Sequence, residues 1–123
     1  MSPSTSTSER RQAERRRANW PIEGQVKGSR AFSSVTVDVS ATGFLMICAR
    51  ALTVGTHAYV FLDTYANATK RKIGALVVIR HCSIKNQHFH CGVEFVKIAQ
   101  EDQLYIARYV NQTRKQTLGE LVA

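Results

Sequence analysis

The segment KIGALVVIRHCSIKNQHFHCGVEF, residues 72–95, decides the fold class. Across Lys72–Arg80, the residues Ile73, Ala75, Val77 and Ile79 occupy alternate positions, the period of a strand with one buried face. Ser83–Gln87 is polar, and Phe89, Cys91, Val93 and Phe95 then alternate with His88, His90, Gly92 and Glu94. Two alternating runs about a polar turn predict an antiparallel hairpin. Toward the N-terminus, Thr56–Leu62 is rich in aromatic and β-branched residues and reads as another strand, with Asp63–Thr69 as a loop. The apolar run Phe44–Ala49 reads as a strand buried on both faces. Phe32–Ser40 alternates, Val35, Val37 and Val39 facing the core and Thr36, Asp38 and Ser40 facing away, and Ala41-Thr42-Gly43 turns between these two strands.

After Lys97 the period changes. Glu101 and Asp102 stand where a helix N-terminus favours acids, and Arg114 and Lys115 where its C-terminus favours cations. Tyr105, Ile106, Ala107, Tyr109 and Val110 form a broad apolar arc opposite Arg108, Asn111 and Gln112. Short, regularly spaced strands followed by one helix predict a mainly β domain, a small six-stranded antiparallel β-barrel with a C-terminal α-helix. The domain is expected over 10–113, between a disordered, Ser/Thr-rich tail at 1–9 and a short tail at 114–123.

Composition narrows the function. Of 123 residues 44% are hydrophobic, yet the longest apolar runs fall far short of the roughly 20 residues a membrane helix needs. No apolar stretch near Met1 resembles a secretory signal, and three irregularly spaced cysteines do not suit a disulfide scaffold. The expectation is a cytoplasmic protein with no membrane insertion. Seventeen Lys and Arg against nine Asp and Glu give a formal net charge of +8, which points to an anionic partner. Arg10, Arg11, Arg15, Arg16 and Arg17 cluster just ahead of the first strand-like segment. A solvated basic tail is one reading. The exclusive use of Arg, whose planar fork suits phosphate and base edges, is an argument for another.

The chemistry-bearing stretch is Asp38-Val39-Ser40-Ala41-Thr42-Gly43. Asp38 and Ser40, two apart on a strand, share a face, and Gly43 permits a positive φ or a close backbone approach. A Ser or Asx turn closing a hairpin explains the stretch structurally. A strand-end carboxylate could instead accept two N–H donors from one edge of guanine, whose other edge is the acceptor pair that Arg binds bidentately. His81, Cys82, His88, His90 and Cys91 meet across the predicted hairpin, but alternation sends Cys91 away from His88 and His90, so a metal site is not expected. A bridge between Cys82 and Cys91 under oxidation is a minor reading. No Gly-rich phosphate loop or nucleophile–base set supports an enzyme, and His57 reads as a rim residue. Trp20 reads as a core or lid residue, with stacking on a ligand base as the alternative.

Arg10-Arg11-Gln12-Ala13-Glu14-Arg15 resembles the RxxxR element of the PilZ-domain family, and Asp38-x-Ser40-x-x-Gly43 resembles its [D/N]xSxxG element. Cys91-Gly92-Val93-Glu94-Phe95 and the helix opening at Gln100 are similar to that family's closing strand and terminal helix. The resemblance implies a small barrel that binds the bacterial second messenger cyclic di-GMP. Arg11 and Arg15 would clasp phosphates and guanine Hoogsteen edges, with Arg10 as the extra Arg that often precedes the pair. Asp38 would take the guanine N1–H and N2–H edge, Ser40 would touch the ligand, and Gly43 would keep the surface clear. Here Arg16-Arg17-Ala18-Asn19 intervenes before Trp20, so Arg16 or Arg17 could replace or supplement Arg15. The implied role is an adaptor without cofactor, read by an unidentified effector protein. A basic barrel for single-stranded nucleic acid and a non-binding protein-interaction domain are the other readings.

Overall fold

The computed structural model describes residues 14–66 and 68–122, with side chains as far as Gln112. Among these residues seven strands precede one helix: β1 (Arg15–Arg17), β2 (Pro21–Val26), β3 (Ala31–Ser40), β4 (Gly43–Cys48), β5 (His57–Ala66), β6 (Thr69–Lys85), β7 (His88–Ile98) and α1 (Gln100–Val122). All pairings are antiparallel. Six strands close a ring in the order β3-β2-β5-β6-β7-β4, because β4 pairs back onto β3. The six-stranded barrel expected from the alternation is present, and β1 adds a seventh strand on the far end of β3. The expected 1–9 tail lies outside the described residues, and α1 continues to Val122, past Arg114 and Lys115.

Alternation supplies the core. Ile22, Val60, Leu62, Ile73, Val77, Ile79, Met46 and Cys91 are among the buried residues inside the ring. The β6–β7 hairpin turns at Asn86 and Gln87 with both φ values positive, the pattern of a two-residue hairpin turn, so Ser83–Lys85 remain strand. The segment Asp63–Ala66, expected to be loop, is also strand. It pairs with Thr69–Lys72, and its buried positions are the small or polar Thr64 and Ala66, whose composition disguises the period. In β4 the apolar run has one fully buried face and a half-buried one, since Leu45 and Ile47 are partly exposed.

β3 departs most from the expectation. Its register against β4 shifts between Thr36 and Asp38, leaving Val37 as a bulge. Thr36 therefore turns inward and is buried, while Val35 and Val37 are only half-buried. The inward hydroxyl has a task. Between β1 and β2 the chain breaks at Ala18–Trp20, and the Trp20 N–H donates to Thr36 Oγ1 (2.8 Å). The same hydroxyl donates to the Ala18 carbonyl, and the Thr36 N–H donates to the Trp20 carbonyl (3.0 Å).

α1 caps the barrel beside this break, burying Ile106 and Val110. Acids in its first turn complement the helix dipole, and Asp102 pairs with Arg71 (2.8 Å). That carboxylate raises the Arg71 guanidinium above its ordinary value through the hydrogen bond. Trp20 lies buried beneath the helix, its ring 5.1 Å from that of Tyr109, which makes it a core residue.

Thr36→Val keeps the shape but strands the Trp20 N–H and the Ala18 carbonyl. We expect a loss of about 1–3 kcal/mol, read as a lowered urea midpoint with an unchanged slope.

Candidate functional site

β1 is too short to be held by its own ladder alone, and its two faces do different work. Arg15 lies opposite Ser40, Arg16 opposite Val39 and Arg17 opposite Asp38. Cross-strand partners share a face, so Arg15 and Arg17 stand with Asp38 and Ser40 while Arg16 turns the other way. Arg16 Nη1 donates to the Tyr109 carbonyl (2.8 Å), and its guanidinium sits 4.0 Å from the centre of the Tyr109 ring. The Tyr109 hydroxyl in turn donates to the Arg17 carbonyl (2.7 Å). The helix thereby grips β1 from behind.

On the front face Arg15 Nη1 meets Asp38 Oδ1 at 2.8 Å. Arg15 also lines an open cleft of about 570 Å³, together with Ser40, Gly43, Arg80, His81 and Glu94 among others, while Asp38 holds Arg15 from just outside that lining. Arg80 is itself paired with Glu94, Nε to Oε1 at 2.6 Å. Both cations are at least half exposed, so each pair is a surface pair of roughly 0–1 kcal/mol and exchanges readily for a stronger anion. Among the described residues the cleft thus presents the guanidinium groups of Arg15 and Arg80 and the carboxylate of Glu94, with Asp38 beside it on Arg15.

Ser40 is almost fully buried and builds the turn. Its hydroxyl accepts from the Thr42 N–H (3.2 Å) and donates to the Gly43 carbonyl (3.2 Å). Gly43 has no positive φ, and the backbone that approaches it is the protein's own. A Cβ there would lie 2.1 Å from the Val93 carbonyl oxygen of β7. Gly92 is constrained in a related way, because the His81 ring lies across it. Arg17 lines a neighbouring cleft of about 710 Å³ with Trp20, Val37 and Tyr65, and Arg16 faces the helix. Arg10 and Arg11 lie outside the described residues. Of the described arginines in the cluster, Arg15 is the one that lines the cleft with Ser40 and Gly43.

Sequence reasoning missed Arg80, His81 and Glu94 as cleft residues. The β6–β7 register shifts between Ile79 and His81, so Arg80 is the extra residue of a bulge. Period counting cannot locate such a shift. The run Val77-Val78-Ile79, all three buried, was its one visible trace. Among the described residues no cluster of three or more His, Cys, Asp or Glu side chains is placed to hold a metal. Among the described residues no helix is long and apolar enough to cross a membrane.

The model for the PilZ domain matches residues 9–112. No curated protein matches the chain by sequence. Among solved structures it is similar to the Bacillus subtilis inhibitor of motility (MotI/DgrA), at 17% identity and a TM-score of 0.77. That match covers 85% of this chain and 51% of the other, so this chain spans about half the length of that protein. It is similar to the PilZ domain with c-di-GMP of YcgR from Escherichia coli, at 12% identity and a TM-score of 0.61, over 91% and 97% of the two chains. It also resembles the PilZ domain of CeSA from a cellulose-synthesizing bacterium, at 17% identity and a TM-score of 0.51, over 83% and 99%.

Gly43→Ala forces β4 and β7 apart at the cleft. The expected cost is about 1–3 kcal/mol in denaturant unfolding, with the largest chemical-shift changes at Val93 and Glu94. Wild-type stability in this variant would refute the close-packing role.

Proposed function

We propose that this chain, which belongs to the PilZ domain family, is a receptor for cyclic di-GMP that works as an adaptor rather than as an enzyme. The observation that carries the reading is the Arg15–Asp38 pair at the mouth of the cleft, beside the Ser40–Gly43 turn. A cyclic dinucleotide offers two phosphates and two guanines, and the two members of this pair suit the two parts. Arg15, with Arg10 and Arg11 from the preceding segment, supplies guanidinium to phosphate and to the guanine O6/N7 edge. Asp38 accepts from guanine N1–H and N2–H once Arg15 has turned to the ligand. Ser40 fixes the turn whose backbone borders the bound base, and Gly43 holds β4 against β7 so that the cleft floor stays flat.

Ligand binding on this reading is an exchange of partners. The weak Arg15–Asp38 pair is given up, and each group gains a charge-assisted contact of about 1.5–3 kcal/mol. Arg16 and Arg17 supplement the charge without entering the same contact, since Arg16 is engaged by Tyr109. Output follows from β1 being gripped by α1 on its other face. Seating the arginine segment on the ligand pulls on a strand that Tyr109 holds, and an effector protein reads the altered surface.

Calorimetric titration with cyclic di-GMP tests the reading, with GTP and a short oligonucleotide as controls. Saturable binding is expected, weakened about 10- to 150-fold in each of Arg11→Ala, Arg15→Ala and Asp38→Ala. Near-normal affinity in all three variants would overturn the site. One observation favours a different reading: Tyr59, Phe61 and Tyr65 stand exposed along the outer face of β5, with Tyr65 directly opposite Lys70. Heat with the oligonucleotide alone, falling steeply with salt, would move the function to single-stranded nucleic acid.

A further inference from the structure

Three thiols converge on the barrel wall next to the cleft. Cys82 on β6 and Cys91 on β7 are directly opposite in the register, and their sulfurs are 3.1 Å apart, with the Cys91 S–H donated to Cys82. Directly opposed residues in an antiparallel pair have Cα atoms about 4.5–5.5 Å apart, inside the range a disulfide spans. Cys48 on β4 is buried near Cys91, but its own cross-strand partner is Phe89, and Cys91 faces Met46. Cys48 and Cys91 are thus diagonal neighbours whose thiols also touch, but they lack the directly opposed register that sets Cys82 against Cys91, and both are buried. Cys48 also donates to Ser34 Oγ (3.6 Å).

From this arrangement we propose that Cys82 and Cys91 are a modification site for hydrogen peroxide, forming a reversible cross-strand disulfide with Cys48 left as a spectator. The three thiols differ in access. Cys82 is partly exposed, whereas Cys91 and Cys48 are buried. Burial, chiefly, pushes the Cys91 and Cys48 thiols up, so neither buried sulfur is the one that meets the oxidant first. The Cys82 sulfur attacks the peroxide, the O–O bond breaks, and Cys82 becomes a sulfenic acid as one water leaves. The Cys91 sulfur then attacks the sulfenic sulfur, the S–O bond breaks, and the hydroxyl departs as a second water with the Cys91 proton. Two thiols are oxidised and one peroxide is reduced. Closing the bond requires the sulfurs to approach by about 1 Å, from the observed contact to a bonded length near 2.05 Å. The next pair along the ladder is His81 with Gly92, the wall of the cleft, so the modification acts at the edge of the candidate site.

The test exposes the full chain to a modest excess of hydrogen peroxide, blocks remaining thiols by alkylation, and reads intact mass and a non-reducing tryptic map. Cleavage after Lys85 separates the two cysteines, so the bridge appears as a joined peptide pair. The expected result is a loss of about 2 Da, a link between Cys82 and Cys91, one alkylated thiol at Cys48, and full reversal by dithiothreitol. Cys48→Ser should behave as the wild type, and Cys82→Ser should form no internal bridge. A link through Cys48, a disulfide between two chains, or Cys82 sulfinic acid without a bridge would each overturn the proposal. Cys82 is at the partly exposed end of the pair, so Cys82→Ser keeps the test valid even where the buried Cys91→Ser fails to fold. Neither readout depends on any ligand.

Discussion

The buried hydroxyl of Thr36 is the joint on which the two halves of the molecule hang. The chain must leave the barrel after β1 and re-enter it as β2 on the same edge of β3, and a break in a buried ladder leaves backbone groups that need partners. One side chain satisfies the Trp20 N–H and the Ala18 carbonyl together. It can do so because the Val37 bulge rotates Thr36 to the interior. The bulge, the break and the placement of β1 beside Asp38 are therefore a single structural decision. Without it the arginine segment would have no fixed position relative to the Asp38–Gly43 turn.

Net charge gives a poor picture of the cleft itself. The chain carries a formal +8, yet at the cleft Arg15 is matched by Asp38 and Arg80 by Glu94. Each carboxylate pairs with its arginine in a surface contact worth roughly 0–1 kcal/mol. On the proposed function, a dianionic ligand would meet cations already placed at the cleft, and a carboxylate released from its arginine would become an acceptor for base N–H groups. The same balance would disfavour a simple polyanion, which has no donors for Asp38 or Glu94.

Much of this was legible in the sequence. Alternation in Lys72–Arg80 and in Phe89–Phe95 located the central hairpin, and the change of period after Lys97 located the helix, because both patterns arise from burial on one face. The stretch from Asp38 to Gly43 stood out by residue type, and in the structure it forms the turn beside the cleft. What could not be read was anything that depends on a register shift. The bulges at Val37 and Arg80 change which residues face inward, and period counting alone does not locate them. Gly43 was recognised as special, but the reason lies fifty residues away in the Val93 carbonyl, a contact that no local pattern encodes. Asp63–Ala66 was hidden for the opposite reason. Its strand is regular, but Thr64 fills a core position where an apolar side chain would have revealed it.

Three identical residues in succession give β1 an unusual tolerance. A slip of one position in a strand normally exchanges its two faces and ruins both. In Arg15-Arg16-Arg17 the same slip would still set a guanidinium toward the cleft and another toward the helix. Side-chain identity therefore cannot define the alignment of this strand. That role falls to groups that are not interchangeable: the buried Ala18 and Trp20 that follow it, and the Tyr109 hydroxyl seated on one particular carbonyl. The lettering of the strand is redundant, and its punctuation carries the reading frame.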